Sequence, residues 1–193
     1  MASHALKITA SQGNLQVNRA TFADFDAVYA VIAEAAAWLQ SRDISQWNWF
    51  LTDPGKDLIC HRIETAETYL VLDPDAQPVA TFTVQWDDEM IWGPRGKDGT
   101  AGYVHGLAVR RRAAGIGLGV KMLEWSSNLI SRKSRRLLRL DCMAKNEFLC
   151  NYYRRAGFTD AGRNDALSIG ASQQLFIQLF EKPIDSLSET SRA

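Results

Sequence analysis

The residues best suited to chemistry lie in one stretch, Leu107 to Leu123, which reads LAVRRRAAGIGLGVKML. An apolar run ends at Val109. Arg110, Arg111 and Arg112 then bring positive charge, and Gly115, Gly117 and Gly119 follow before an amphipathic pattern begins. Glycine removes the Cβ that would keep an oxygen-bearing ligand away from the backbone. A strand that passes through such a loop into a helix leaves unpaired N–H groups at the helix start, where the helix dipole favours negative charge. The chemistry implied is anion binding. The Walker pattern G-x-x-x-x-G-K-[ST] is absent. The dinucleotide pattern G-x-G-x-x-G fails because Gly115 and Gly117 fit but Val120 does not, and no second βαβ unit of the right order follows. What remains is Arg112-x-x-Gly115-x-Gly117 directly after Leu107-Ala108-Val109.

A second element lies downstream. Asn146 to Phe158 reads NEFLCNYYRRAGF, a short helical pattern closed by Gly157. The first element resembles the acyl-CoA-binding motif of the GNAT acetyltransferase superfamily, [R/Q]-x-x-G-x-[G/A] after a strand ending L-x-V. The second is similar to that family's N-x(6)-Y-x-x-x-G-F element. The two occur in the family's order with one strand between them.

The resemblance implies acetyl-CoA as co-substrate. Main-chain groups of Leu107, Ala108 and Val109 would pair with its pantetheine arm like an added strand. Backbone amides of Arg112, Ala113, Ala114, Gly115, Ile116, Gly117 and Leu118 would hold the pyrophosphate, with Arg112 adding a charge-assisted contact. Asn146 matches the position that contacts pantetheine. Tyr153 matches the general acid that protonates the departing thiolate. The amide of Val109 or of a nearby residue would stabilise the oxyanion. His105 is the candidate base, because His-x-Leu-Ala-Val resembles the same strand of arylalkylamine N-acetyltransferases; Tyr103 stands where a second histidine would be. Asp87, Asp88 and Glu89 are the alternative base, acting through water. Packing alone also accounts for a tyrosine beside Tyr152 and for a strand histidine.

Aromatic residues give a tentative acceptor wall. Trp38 and Trp47 cluster with Trp49 after the first helical pattern, and Trp86 precedes the acidic run. They suit cation–π contact with an amine, or they close the core beneath a loop.

The elements that must position these groups follow from periodicity. Leu15–Arg19 alternates like a strand. Phe22, Phe25, Val28, Tyr29, Ile32 and Ala36 recur at helical spacing to about Leu39, and a second helix covers Lys56–Thr65. ETYLVLD and PVATFTVQW form a hairpin across DPDAQ. Residues 87–100 read as a loop, Tyr103–Val109 as a fourth strand, Gly115 as a helix start, RLLRLDCM as a fifth strand, and QLFIQLFEK as the clearer of two last strands. The order β-α-α-β-β-β-α-β-α-β-β predicts an α/β (α+β) fold. Its sheet is mixed, mostly antiparallel and of about seven strands, with helices on both faces. The resemblance adds a splayed pair between the fourth and fifth strands.

The chain has 193 residues, 46% hydrophobic and 23% charged, with 22 basic and 22 acidic side chains. That composition suits one globular domain and gives no global pull toward nucleic acid or an anionic membrane. The expected division is a flexible leader at 1–14, one domain at 15–183 and a polar tail at 184–193. Cys60, Cys142 and Cys150 match no zinc spacing and suit a reduced, cytoplasmic setting without metal. The resulting expectation is an N-acetyltransferase acting on a small-molecule or peptide amine by direct transfer, with a homodimer as the commonest oligomer. A non-catalytic acyl-CoA sensor module, or an acyltransferase with another donor, is the alternative.

Overall fold

The computed structural model describes residues 6–10, 13–44, 46–169 and 173–184. The chain forms two compact units, each built from two chain segments: residues up to Val84 with His105–Leu123, and Gln85–Val104 with the chain from Glu124 onward.

The first unit opens with β1 (Leu6–Ala10) and β2 (Gly13–Arg19), then α1 (Phe25–Gln40), α2 (Asp53–Thr65), β3 (Glu67–Leu72) and β4 (Pro78–Gln85). β1 to β4 form an antiparallel meander, with Leu6 opposite Val17, Gln16 opposite Leu72 and Tyr69 opposite Phe82. Asp24 marks the approach to α1, its carboxylate accepting both the N–H and the hydroxyl of Thr21 at 2.8 Å. The apolar stripe of α1 buries Val28 and Ile32 against Ile59 and Ile63 of α2 and Leu70 of β3. The hairpin turn is organised by Asp73, whose Oδ1 accepts N–H bonds from Gln77 at 2.8 Å and Asp75 at 3.1 Å.

β5 (Ala101–Val109) runs from the second unit into the first, and α4 (Leu118–Arg132) runs back. In the second unit, β5 is parallel to β6 (Leu137–Met143), with Ala101–Val104 against Leu137–Leu140. That ladder takes in less than half of the nine-residue strand. Then come α5 (Glu147–Arg155), β7 (Thr159–Ile169) and β8 (Gln173–Pro183). β8 lies between β6 and β7 and is antiparallel to both. Trp92, Tyr103, Ile177 and Leu179 form a core cluster here. Arg139 is 4% exposed. Its charge is met by Asp98 at 3.1 Å and Glu181 at 3.2 Å, and it donates to the Tyr103 hydroxyl at 3.0 Å.

The sheet is mixed and mostly antiparallel, as expected, but it has eight strands, because Leu6–Ala10 pairs with β2 inside the segment expected to be a leader. Residues 1–5, 11–12 and 185–193 of the expected leader and tail lie outside the described residues. The segment 87–100 holds a short helix, α3 (Glu89–Trp92), and a 3-10 turn over Gly93–Lys97. Asp88 caps α3 by accepting the Ile91 N–H at 3.2 Å. α4 starts at Leu118 instead of Gly115. Gly115 and Gly117 have φ of +83° and +75°, which a right-handed helix does not admit.

Candidate functional site

The loop between β5 and α4 is fixed by partners distant in sequence. The Arg110 N–H donates to the Val79 carbonyl at 2.8 Å, tying the loop to β4. Glu34 of α1 then grips two residues: Oε1 accepts the Arg111 N–H at 2.7 Å, and Oε2 accepts an Arg110 guanidinium bond at 3.1 Å. The Arg111 guanidinium lies 4.3 Å from the Trp38 ring centroid. Arg112 donates to Asp73 Oδ2 at 2.7 Å and to the Pro78 carbonyl at 3.3 Å. Asp73 thus uses one oxygen for the hairpin turn and the other for this loop. The Gln77 N–H, and after it Arg112, hold its carboxyl below the ordinary range.

Past these anchors the backbone takes two left-handed steps, at Gly115 and Gly117. A Cβ at either would meet no described atom within 4 Å, so glycine is required by conformation and not by crowding. The Lys121 N–H bonds to the Gly117 carbonyl at 3.2 Å, opening α4. The amides of Leu118, Gly119 and Val120 therefore precede the helical ladder and have no acceptor within it. An anchored loop, two left-handed glycines and a helix N-terminus in succession form an arrangement that can receive an anion.

Gly106 shapes the strand before this loop. Its φ is +58°, a left-handed residue inside a strand, which marks a bulge. Regular strand alternation would put Tyr103, His105 and Leu107 on one face, and the bulge interrupts it. Tyr103 and His105 are buried, but beyond Gly106 it is Ala108 that is buried, while Leu107 and Val109 are intermediate.

Within the first unit, a narrow cavity adjoins Gly106. Val28, Ile32, Phe50 and Ile59 give its apolar wall, and Thr68, Thr81 and Thr83 give a hydroxyl wall. Among the residues that line it, Arg62 is the one charged side chain. Trp38 and Trp47 belong to this unit without lining the cavity. Trp47 packs edge-on against Phe50 at 5.7 Å, and Trp38 lies under Arg111 and Arg42.

The second unit carries Asn146, Tyr153 and Trp86. Asn146 caps α5, its Oδ1 accepting the Leu149 N–H at 3.1 Å. Tyr153 is 8% exposed, with ring centroids of Tyr152, Phe158 and Phe180 at 5.5, 5.9 and 5.6 Å. Burial drives its phenol pKa upward, so the hydroxyl keeps its proton through neutral and moderately alkaline pH. Cys142 and Cys150 are buried with their sulfurs 3.7 Å apart, and burial likewise raises the Cys142 thiol pKa. Trp86 lies beneath Arg135 at 5.4 Å and Lys133 at 5.8 Å. Tyr103, the residue in the second-histidine position, donates to the Arg95 carbonyl at 2.9 Å.

Reading the sequence alone missed Glu34 and Asp73 as loop anchors, and Arg62, Thr81 and Thr83 as cavity lining. Only Gly106 carried a local signal, since glycine inside a strand pattern marks a bulge or a close approach.

No helix among the described residues is long and apolar enough to cross a membrane. The family model "Acetyltransferase (GNAT) family" matches residues 29–158. An uncharacterised N-acetyltransferase of Bacillus subtilis, YesJ, is 32% identical over 150 residues, covering 74% of this chain and 81% of its own. A GNAT-family acetyltransferase structure from Listeria monocytogenes is 26% identical with a TM-score of 0.76, over 92% of this chain and 99% of that one. YncA from Salmonella typhimurium, solved with acetyl-CoA, shares the fold at 15% identity and a TM-score of 0.63, over 90% and 95% of the two chains. With its two motifs on an anchored strand-to-helix loop and on a capped helix, the chain belongs to the GNAT acetyltransferase family and is an acyltransferase.

Proposed function

We propose that the protein carries an acetyl group from acetyl-CoA directly to a primary amine, with donor and acceptor bound together. The observation that carries this reading is the anchored loop. Its three arginines are engaged by Glu34, Trp38 and Asp73, and the Ala113 and Ala114 amides donate to the Arg110 and Arg111 carbonyls, so the backbone amides from Gly115 to Leu118 are the ones to meet the pyrophosphate. The acetyl-CoA in the YncA relative supports that donor.

In this reading, main-chain groups of Leu107, Ala108 and Val109 hold the pantetheine arm, and Asn146 adds a contact to it. The amine nitrogen attacks the thioester carbonyl after losing a proton to His105, directly or through water. An amide near Val109 donates to the oxyanion. As the C–S bond breaks, Tyr153 gives its proton to the leaving sulfur, a role that its raised pKa suits. Cys142 and Cys150 are buried, and burial raises the Cys142 thiol pKa, which disfavours a covalent acyl-enzyme.

Calorimetric titration with acetyl-CoA, then with CoA and NAD, is the test. Micromolar acetyl-CoA binding without NAD binding is expected, followed by CoA release with members of an amine library. Binding of neither CoA species would overturn the reading.

A further inference from the structure

We infer that Cys142 and Cys150 form a reversible dithiol–disulfide couple, and that closing it pins α5 to β6 and lowers turnover by displacing Tyr153. The couple rests on the two sulfurs alone. Its effect on turnover rests on the acetyl-transfer reading, with Tyr153 as the acid.

The two thiols come from different elements of the second unit, Cys142 from β6 and Cys150 from α5. Both are buried, and their sulfurs stand 3.7 Å apart, in van der Waals contact. An S–S bond is ~2.05 Å long, so closure needs roughly 1.7 Å of approach, shared between side-chain rotation and movement of the backbone.

α5 is the element that yields. β6 is held along its whole length by an antiparallel ladder to β8, from Leu137 to Met143, with Cys142 opposite Gln178. α5 has nine residues, too few to keep a helix without tertiary packing. Closure therefore draws α5 toward the sheet. Tyr153 lies three residues beyond Cys150, on the same buried face of α5, and moves with it. An acid that must meet a departing sulfur loses up to ~10²-fold in rate when misplaced by about 1 Å.

The oxidant is a small peroxide. One sulfur, as thiolate, attacks an oxygen of hydrogen peroxide. The O–O bond breaks, a sulfenic acid forms, and the released hydroxide takes a proton to become water. The second sulfur then attacks the first. The S–S bond forms, the S–O bond breaks, and a second water leaves. The thiols lose two electrons and two protons, and both peroxide oxygens end as water. A dithiol reductant reverses the step by exchange.

Burial sets the rate. It raises the Cys142 thiol pKa in the closed structure, so the reaction waits for α5 to open locally. The same burial that spoils an acyl carrier, which must ionise in every turnover, is compatible with a couple that reacts once per oxidative event.

The test uses the full chain carrying Cys60→Ala, which removes the one thiol that is not buried. After hydrogen peroxide treatment, trypsin cleavage at Lys145 puts the two cysteines in separate peptides, 140–145 and 146–154. The peptides are expected to be joined in the oxidised protein and separate after dithiothreitol. Hydrogen exchange of the α5 amides is expected to slow on oxidation. Turnover with an amine taken from the library should fall at least about tenfold and return with dithiothreitol. Cys142→Ala and Cys150→Ala on the same background should show no loss that dithiothreitol recovers. Peptides that fail to join within the time in which the α5 amides of the reduced protein exchange would overturn the couple. Joined peptides with unchanged turnover would overturn the displacement of Tyr153. A recoverable loss of equal size in Cys150→Ala would overturn the pairing. If the reduced protein acetylates no amine, the acetyl-transfer reading falls, while the joined peptides and the α5 exchange still decide the couple.

Discussion

Arg112 offers a sharp choice between two roles, because its guanidinium is already engaged by Asp73 and the Pro78 carbonyl. If it serves to hold the loop, Arg112→Ala and Asp73→Asn should weaken acetyl-CoA binding in the same direction. The pair is partly exposed, with side-chain exposures of 50% and 14%, and such pairs contribute little. The loss should therefore be below about fivefold in Kd for each variant, and the double variant should lose little more than either single one. If Arg112 instead leaves Asp73 to contact pyrophosphate, Arg112→Ala removes a charge-assisted bond and should cost about tenfold or more in affinity. Asp73→Asn would then release a competitor and tighten binding. Calorimetry on the three variants decides, and opposite signs for the two single substitutions would refute the anchoring role. The pH dependence gives a check. A carboxyl whose folded pKa is lowered keeps its ion pair above the ordinary value of ~3.9 and loses it as pH falls through the lowered one. Acetyl-CoA affinity should accordingly show no step from Asp73 between about pH 5 and 8.

Tyr153→Phe should lower turnover by about 10²-fold with acetyl-CoA affinity nearly unchanged, read by steady-state kinetics and calorimetry. Since burial raises the phenol pKa, the acid form persists as pH rises, and an alkaline limb below about pH 9 that vanishes in the variant would contradict this account. Of the three thiols, Cys60 alone is not buried, so one equivalent should react with a disulfide reagent in native buffer and three after unfolding. Fast native labelling of Cys142 or Cys150 would show that α5 opens away from β6. Gly55→Ala would put a Cβ 2.2 Å from the Trp49 carbonyl oxygen and 2.5 Å from Phe50 Cα, both backbone atoms. Denaturant unfolding should register a loss of about 1–3 kcal/mol or more, and an unchanged midpoint would mean that the turn before α2 yields freely.

The parts legible in the sequence were those written in local pattern. Helical spacing placed α1 and α5, strand alternation and an Asp-Pro-Asp turn placed the β3–β4 hairpin, and the glycine and arginine spacing located the strand-to-helix loop. β1 was missed although Leu6, Ile8 and Ala10 alternate with Lys7 and Thr9, because five residues among polar neighbours give a weak signal until β2 pairs with them. The start of α4 was misplaced because glycine suits a left-handed turn as readily as a helix entry, and only the φ values separate the two. The loop's anchors were invisible for a different reason. Glu34 and Asp73 stand 77 and 39 residues from the arginine-loop groups they bind, and contacts at that range leave no local trace. The cavity is harder still, since α1, α2, β3, β4 and β5 each contribute lining residues that look ordinary within their own elements.

The position of β8 bears on how the chain can be made. Because β8 lies between β6 and β7, neither of those strands pairs with the other, and both meet their partner in a strand that the ribosome delivers after them. During synthesis, β6 and β7 must wait with the edges that β8 will pair left exposed, and the second unit closes by insertion of β8. Nascent chains stalled before Gln173 should therefore be sticky, protease-sensitive and dependent on chaperones, and a few added residues carrying β8 should relieve all three conditions together.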